Sequence, residues 1–272
     1  MINNIHFGEK IITRLYFGSN LIWGSPPVFN PGALFSENQQ GVWYDPSDKT
    51  TLFQDVAGTV PVTKDGDPVA LMRDKSGNGN HATVTVSTAR PVYKTDGILH
   101  HLSFDGVDDH LLFNKNTFLA DKSQVLMTAY SLLKAGFYPS VITGLSTDAG
   151  LEQFHFDTTA YRRAAVITNT GVSVENSATP LPLNAAVVRT TNWSRSAGVA
   201  TDAVNRTGVF TTSPAQVNAL LTLPTDYQSM GRIQTYYTNM NFYGAVAISD
   251  DLSPTAIADV EQYLANKAGV TL

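Results

Sequence analysis

The sequence contains no cysteine, which excludes disulfide bonds and metal centres built from thiolates. Charged residues make up only 15% of the 272 residues and the formal net charge is −5, so no basic surface for nucleic acid is expected. No apolar run reaches the length of a membrane span, which argues against membrane insertion. Glutamate is scarce, at five residues against 18 aspartates. Because Asp favours turns over helix interiors, this balance is typical of a loop-rich β protein.

The amino terminus also lacks the apolar segment of a secretory signal peptide. Glu9, Lys10 and Arg14 interrupt the only stretch in which such a segment could lie. We therefore expect a protein that is made in the cytoplasm without an export signal. It would reach the exterior of a cell only as part of a larger assembly.

A short internal repeat occupies the first 24 residues. Residues 5–12 read IHFGEKII and residues 15–22 read LYFGSNLI, and each copy predicts a strand, a glycine turn and a second strand. Together they predict a small three-stranded β-meander. Three short strands bury little area alone. The unit 1–24 is therefore either an anchor that docks on another protein or a β-extension packed on its own domain.

The remaining chain divides at a segment rich in proline and glycine. Residues 25–40 show no apolar periodicity and predict a linker, so residues 41–272 form the second domain. In that domain, short strands follow one another with turn signals between them, which predicts an all-β sandwich. Alternation places Ile98, His100, Leu102 and Phe104 on one face. Residues 213–221 are compatible with one short helix.

The carboxyl terminus predicts one further helix. Ser253 is a good N-cap residue, Pro254 suits the first turn, and Gly269 is placed to terminate the helix. An apolar stripe lies between these two ends and comprises Ile257, Val260, Leu264 and Ala268. We expect this helix to pack against the sandwich and to stabilise it.

Two turn-rich motifs dominate the middle of the chain. Residues 74–80 read DKSGNGN and residues 104–109 read FDGVDD. With WYDPSD at 43–48, LFQD at 52–55 and DDLSP at 250–254 before the final helix, they resemble the laminin-G-like, concanavalin-A-like jelly-roll domain of bacteriophage virion proteins. The resemblance covers roughly residues 41–272. The segment RLYFGSNLIWG at 14–24 resembles the amino-terminal segments of phage tail and virion proteins.

This resemblance implies a jelly-roll sandwich in a virion, as a tail-fibre or decoration protein. The first interpretation is an outward-facing, lectin-like domain that binds a host-surface polysaccharide, while residues 1–24 bind other virion proteins. A homo-oligomer is expected, because several copies would raise a weak glycan affinity through avidity. The alternative is a purely structural tail or capsid decoration protein without a ligand. A glycan depolymerase is the third interpretation.

Sequence spacing argues against catalysis. A retaining glycosidase needs two carboxylates about 5 Å apart that flank the scissile bond, which on one strand requires both acids to face the same side of that strand. Glu152 and Asp157 are five residues apart and would point to opposite faces of a strand. No GxSxG motif that would position a serine nucleophile is present. We therefore predict that the protein is not an enzyme, and we assign no catalytic residue and no cofactor.

Calcium is the one metal that the resemblance implies, since laminin-G-like domains often hold one Ca²⁺ at the rim of the sandwich. Asp105, Asp108 and Asp109, with Asp74 and Asn78, offer the oxygen ligands that calcium prefers. The same residue types also close turns by accepting hydrogen bonds from their own backbone, and we favour that interpretation. We therefore assign no metal ligand.

The adjacent pair His100 and His101 cannot chelate one zinc ion, because neighbours on a strand point to opposite faces. We expect His100 in the core and His101 at the surface. Sugar recognition would instead need exposed aromatic rings beside polar groups. The candidates are Trp193, Tyr227, Tyr236, Tyr237 and Tyr243, with the polar residues Arg162, Arg163, Asn239 and Asn241.

Overall fold

The computed structural model describes the backbone of residues 5–7, 10–12, 14–17, 20–24, 29–114, 117, 119, 121–134, 140–144, 150–156, 161–168, 171–180, 182–211 and 227–272. Side chains are described within 29–114, 117, 119, 121–134, 140–143, 182–207 and 227–272. The chain divides into two compact units, Met1–Asn30 and Pro31–Leu272. The predicted linker 25–40 is thus shared between the two units. Its second half contains a short 3-10 helix, Pro31–Phe35, in which Pro31 and Phe35 are buried.

The first unit consists of two β-hairpins. Strand β1 (Ile5–Phe7) pairs with β2 (Lys10–Ile12), and β3 (Arg14–Phe17) pairs with β4 (Asn20–Gly24). Each copy of the sequence repeat therefore forms one hairpin. The described strands form two separate two-stranded sheets, so the predicted three-stranded pairing is wrong. That this unit is an anchor stays a prediction.

The second unit is almost entirely β. Its strands are β5 (Gly41–Tyr44), β6 (Leu52–Phe53), β7 (Leu71–Met72), β8 (Ala82–Thr83), β9 (Val92–Thr95), β10 (His100–Asp105), β11 (Leu111–Asn114), β12 (Gln124–Leu132), β13 (Ser140–Gly144), β14 (Gly150–Phe156), β15 (Tyr161–Thr168), β16 (Gly171–Pro180), β17 (Val187–Ser194), β18 (Val199–Val204), β19 (Thr207–Thr211), β20 (Tyr227–Met230), β21 (Arg232–Ile233), β22 (Tyr236–Tyr237) and β23 (Asn239–Ile248). The chain closes with helix α1 (Pro254–Ala268). The predicted helix at 213–221 lies outside the described residues.

Two antiparallel sheets form the sandwich. The first has the strand order β19-β18-β17-β12-β23-β10-β9, and β5 pairs with β23 beyond the end of β10. The second has the order β16-β15-β14-β13-β20-β11-β8-β7-β6. One buried cluster joins side chains of both sheets, among them Phe104 and Phe242 from the first and Leu111 and Met230 from the second. The predicted all-β sandwich with one carboxyl-terminal helix is confirmed.

Helix α1 covers the outer face of the first sheet and packs on β12, β17 and β23. All nine residues of β12 are therefore buried, because the second sheet lies on one side and the helix on the other. The predicted helix ends are confirmed. The Ser253 side chain accepts a hydrogen bond from the Ala256 backbone N–H at 3.1 Å, and Gly269 adopts the left-handed conformation with φ 67°.

The predicted alternation before β10 is correct only in part. Leu102 and Phe104 are fully buried, whereas Ile98 is 83% exposed. Ile98 lies in a turn in which the Asp96 carboxylate accepts hydrogen bonds from the backbone N–H groups of Ile98 and Leu99, at 2.9 and 2.7 Å. This Asx turn interrupts the extended backbone on which period-two alternation depends.

The motif at 74–80 ties its own loop to strand β5. The buried Asp74 carboxylate accepts hydrogen bonds from the backbone N–H groups of Trp43 at 2.9 Å and Asn80 at 3.1 Å. The side-chain amides of Asn78 and Asn80 donate to the Gly41 carbonyl oxygen at 3.3 and 2.9 Å. These contacts satisfy edge groups of β5, so the motif has a structural role.

A second network joins the WYDPSD motif to helix α1. The Asp45 carboxylate is buried and accepts hydrogen bonds from the Tyr263 hydroxyl at 2.8 Å and the Lys267 ammonium at 3.1 Å. Burial by itself raises the pKa of Asp45, but Ser47, Lys267, Tyr263 and Lys75 outweigh it and lower that pKa below its ordinary value. The helix is thereby fixed to the sheet by polar as well as apolar contacts.

The inner face of the first sheet also holds a buried ion pair. The Arg189 guanidinium donates from Nε to Asp202 Oδ1 at 2.8 Å, and the two side chains are 0% and 1% exposed. The Thr191 hydroxyl donates to the same oxygen at 2.7 Å. Since β17 and β18 are paired through Thr191 and Asp202, the ion pair bridges these two strands inside the sandwich.

Candidate functional site

The FDGVDD turn lies at one end of the sandwich, beside a hairpin that follows it by about 130 residues in the sequence. Strand β10 ends at Asp105, which pairs with Asn239 at the start of β23. The FDGVDD turn therefore lies beside the β21–β22 hairpin, which carries Tyr236 and Tyr237. The Asn239 side-chain amide donates to the Asp105 carbonyl oxygen at 3.0 Å and joins the two segments.

The turn itself is held by its acidic side chains. Asp105 Oδ1 accepts backbone N–H groups from Val107 at 2.7 Å, Asp108 at 3.3 Å and Asp109 at 3.4 Å. Asp109 Oδ2 accepts the Asp105 backbone N–H at 2.9 Å. Gly106 has φ 75°, and an added Cβ would lie 2.8 Å from Asn239 Cβ, so the turn needs glycine there. These contacts support the interpretation that Asp105 and Asp109 close the turn.

The three carboxylates of the turn also lie close together. One oxygen from each of Asp105, Asp108 and Asp109 falls within 4.8 Å of the others. Burial, reinforced by the charges of Asp105 and Asp108, raises the pKa of Asp109 to about 6. Asp109 therefore takes up a proton at a higher pH than an ordinary carboxyl group, which relieves part of the repulsion in the turn.

We expect Asp109→Asn to stabilise the protein in a pH-dependent manner. Because the pKa is raised in the folded state, that state binds more protons than the unfolded chain between about pH 4 and 6, and stability falls as the pH rises. The amide of the variant does not ionise, so this loss of stability with rising pH disappears, and the amide oxygen can still accept the hydrogen bond from the Asp105 N–H. Urea unfolding should show a gain of about 1–2 kcal/mol at pH 8 and little change at pH 4.

The control for this measurement is Asp121→Asn, which changes an exposed acid before β12 and should show no such pH dependence. The prediction would be contradicted if Asp109→Asn were less stable than the wild type at pH 8 and if EDTA removed this difference by lowering the stability of the wild type. That result would identify Asp109 as a calcium ligand, because the amide is a weaker ligand than the carboxylate.

On the other side of the site, the β21–β22 hairpin presents one face to the turn. Arg232 and Tyr237 are cross-strand partners and so share a face. The Arg232 guanidinium lies 5.2 Å from the centre of the Tyr237 ring, and its Nε donates to the Gln234 carbonyl oxygen at 2.7 Å. Tyr236 is 37% exposed and belongs to the opposite face of the hairpin, with the buried Ile233.

His110 connects the turn to the hairpin. Its ring centre is 5.9 Å from that of Tyr237, and its Nδ1 donates to the Asp108 carbonyl oxygen at 2.8 Å. Burial lowers the pKa of His110 below the ordinary value, and the nearby Arg232 charge lowers it further. The imidazole is therefore neutral at pH 7. We call the group of Asp105, Asp108, His110, Arg232 and Tyr237 the rim site.

Several predicted binding residues lie elsewhere. Trp193 is fully buried and Tyr243 is 8% exposed, so neither can present a ring to a ligand, and those two predictions are wrong. Tyr227 is exposed, but it lies at the far end of β20 from Gly231 and the hairpin. Asn241 is half-buried on β23, at the pair with Ser103. The side chains of Arg162 and Arg163 lie outside the described residues, as do those of Glu152 and Asp157.

Asp74 and Asn78, the other two residues considered as calcium ligands, are also separate from the turn. Asp74 binds the backbone of Trp43, which pairs with Val246, whereas Asp105 pairs with Asn239. Seven residues of β23 separate the two positions, which is about 23 Å along the strand. The five residues considered as calcium ligands thus form two groups. Asp105, Asp108 and Asp109 lie together in the turn, whereas Asp74 and Asn78 bind the backbone of β5.

The exposure of the histidine pair differs from the prediction. His100 Nδ1 lies 2.6 Å from the Tyr93 hydroxyl, and the side chain is half-buried. His101 is half-buried as well, with its ring centre 5.2 Å from that of Tyr243, so the prediction of a surface position is wrong. Tyr243 on β23 covers part of the face of β10 that the alternation in the sequence predicts to be polar.

The sequence did not single out His110 and Arg232. Both lie next to motifs that it did single out, since His110 follows FDGVDD and Arg232 is four residues before Tyr236. They lie close together because β10 pairs with β23, a contact between residues more than a hundred positions apart.

Solved structures with this fold include binding domains and an enzyme. The binding domain of Paraclostridial Mosquitocidal Protein 1 matches with a TM-score of 0.54 at 10% identity, over 73% of this chain and 50% of that one. The botulinum neurotoxin serotype D ligand binding domain, in complex with N-acetylneuraminic acid, matches with a TM-score of 0.54 at 11% identity, over 71% and 48%. Trypanosoma rangeli sialidase with 2,3-difluoro-KDN matches with a TM-score of 0.53 at 11% identity, over 89% and 39%.

These likenesses establish the fold. This chain spans half or less of the length of the matched structures, and their identities are low. No protein-family model matches the sequence, and no curated protein matches it. Since the neighbours include a sialidase and toxin binding domains, the fold leaves both catalysis and simple binding open. Within the described part of the chain, no helix has the length and apolar character needed to cross a membrane.

Proposed function

We propose that this chain is a carbohydrate-binding protein of a bacteriophage virion and that the rim site contacts the glycan. The observation that carries the binding role is the juxtaposition of Tyr237, a half-buried ring on a hairpin, with the acidic turn at Asp108. Sugar sites combine an aromatic surface with a few fixed polar groups, and the rim site has both. The Asp105 carboxylate is held by hydrogen bonds of the turn, so this group needs little ordering on binding.

The structural neighbours support a binding role in general terms. Two of the matched structures are named as binding domains, and one of these is in complex with N-acetylneuraminic acid. In this proposal the protein has no catalytic activity. Asp105 and Asp109 are held by the backbone of the turn, and Asp109 is only 4% exposed, so these acids are poorly placed to flank a glycosidic bond.

The virion location rests on the resemblance of residues 14–24 and 41–272 to phage proteins. In this proposal the two hairpins of the first unit attach to other virion proteins, and the second unit faces outward. The separation of the chain into units Met1–Asn30 and Pro31–Leu272 suits this division of roles. Assembly into a homo-oligomer would present several rim sites together and raise a weak affinity through avidity.

A structural decoration protein without a ligand is the second candidate. The observation in its favour is that the hydrogen bonds of the turn account for the side chains of Asp105 and Asp109 without any ligand. In this case the first unit would carry the whole function, through its contacts with the particle.

A glycan array tests the binding role. The full chain, displayed in many copies, should bind specific glycans saturably, and the free glycan should compete. The same measurement on intact host cells should give the same specificity. A folded, multimerised chain that binds no glycan on the array and no cells would overturn the binding role and leave the structural one.

Deletion of residues 1–24 tests the anchor. We expect the truncated chain to keep the melting temperature of the sandwich and to be absent from purified particles, because the attachment surface is lost. The matched control is the full chain expressed in the same way. Normal incorporation of the truncated chain would contradict the proposal, since another surface would then make the attachment.

A further inference from the structure

The rim site has hydrogen-bond acceptors that the protein itself does not use. Among the described residues, no group donates to the carboxylate of Asp108, which is half-exposed, and Asp105 uses only Oδ1 in the turn. Carboxylate oxygens only accept hydrogen bonds when ionised. The ligand groups that fit them are donors, such as the hydroxyl groups of a sugar.

The positive charge of the site is smaller than its negative charge. Arg232 is the one cationic side chain among the five residues of the rim site, because His110 is neutral at pH 7. Its guanidinium already lies over the Tyr237 ring and donates to Gln234. Asp105 and Asp108 together outweigh that charge, and ionised Asp109 adds to them.

We propose that the rim site binds uncharged sugars through hydroxyl groups that donate to Asp108, and that it rejects sugars bearing a carboxylate. This inference rests on the proposed carbohydrate-binding function and specifies its ligand. The Tyr237 ring supplies the apolar contact for the face of the sugar, and the Asp108 carboxylate accepts hydrogen bonds from the hydroxyl groups of the sugar. A carboxylate sugar in the same position would place a third or fourth negative charge within a few ångströms of Asp105 and Asp108.

The size of the discrimination follows from Coulomb's law. Two like charges about 5 Å apart near a protein surface weaken binding by about tenfold or more, and the effect decreases as salt screens them. The selectivity of this chain would therefore be opposite to that of a site that holds a sialic acid. On this proposal, the chain shares its fold with the serotype D domain but not the preference for a sialic acid.

Matched glycan pairs test the inference. The full chain is measured against the same oligosaccharides with and without a terminal N-acetylneuraminic acid or glucuronic acid. We expect the uncharged member of each pair to bind at least about tenfold more tightly at low salt. Preferential binding of the acidic members would overturn the inference while the carbohydrate-binding function stands. Binding of neither member of any pair would overturn both.

Asp108→Asn supplies a second readout. The amide keeps the shape of the side chain but loses the charge, so uncharged glycans should bind about tenfold more weakly. Rejection of the acidic glycans should weaken at the same time, which a merely structural change would not produce. Asp121→Asn, an equal charge change at an exposed site before β12, should leave both affinities unchanged. Equal affinities for wild type and Asp108→Asn would overturn the role of Asp108.

Discussion

Replacement of Arg189 by methionine should lower the free energy of unfolding by about 3–5 kcal/mol. The guanidinium is fully buried and lies 2.8 Å from Asp202 Oδ1, so its loss leaves a carboxylate inside the sandwich without its ion-pair partner. Asp202 Oδ2 has no hydrogen-bond partner among the described residues, which makes the remaining charge more costly still. Urea unfolding followed by tryptophan fluorescence measures the change.

A double variant separates the ion pair from its burial. Arg189→Met combined with Asp202→Leu removes both charges and fills the space with apolar atoms, so most of the lost stability should return. The exposed pair Lys94 and Asp65, at 3.4 Å, is the matched control, and Lys94→Met should leave the urea midpoint unchanged. A single variant Arg189→Met as stable as the wild type would contradict the account of this pair.

Tyr237→Ala should weaken glycan binding by about 30-fold, which corresponds to the loss of about 2 kcal/mol expected for an aromatic anchor. The ring is the one aromatic surface on the face of the hairpin that also carries Arg232 and approaches His110. Its removal takes away the apolar contact for the sugar and leaves the Arg232 charge without a cation–π partner. Titration of an array-selected glycan measures the change.

Two further variants make this result specific. Tyr237→Phe keeps the ring and should retain most of the affinity. Tyr227→Ala makes the same truncation at an exposed tyrosine at the far end of β20, and the affinity should not change. Melting curves of all three proteins check that the hairpin remains folded. Wild-type affinity of a folded Tyr237→Ala protein would remove the ring from the proposed site.

Much of the fold could be predicted from local patterns. Helix α1 is the best case, because Ser253 and Gly269 act on their immediate neighbours in the chain and their roles need no distant contact. Strand succession predicted the sandwich for a similar reason. Ile98 shows the limit, because an Asx turn at Asp96 ended the alternation that the pattern implied.

Burial of aromatic and polar side chains could not be predicted in the same way. Trp193 and Tyr236 both belong to strands, yet the first is fully buried and the second is 37% exposed. The difference depends on which sheet or helix covers each face. For the same reason a polar pair, Arg189 and Asp202, occupies an inner face that a simple apolar pattern would leave to the core.

By itself, the sequence determined the β class, the closing helix and the turns at 74–80 and 104–109, since each depends on residues close together in the chain. Only the tertiary structure decided which motifs lie side by side. The pairing of β10 with β23 brings Asp108 and His110 to Tyr237 and Arg232. Asp74 instead binds the backbone of Trp43, whose partner on β23 is about 23 Å along the strand from the partner of Asp105. The physical reason is that strand register joins residues more than a hundred positions apart, and no local pattern records it.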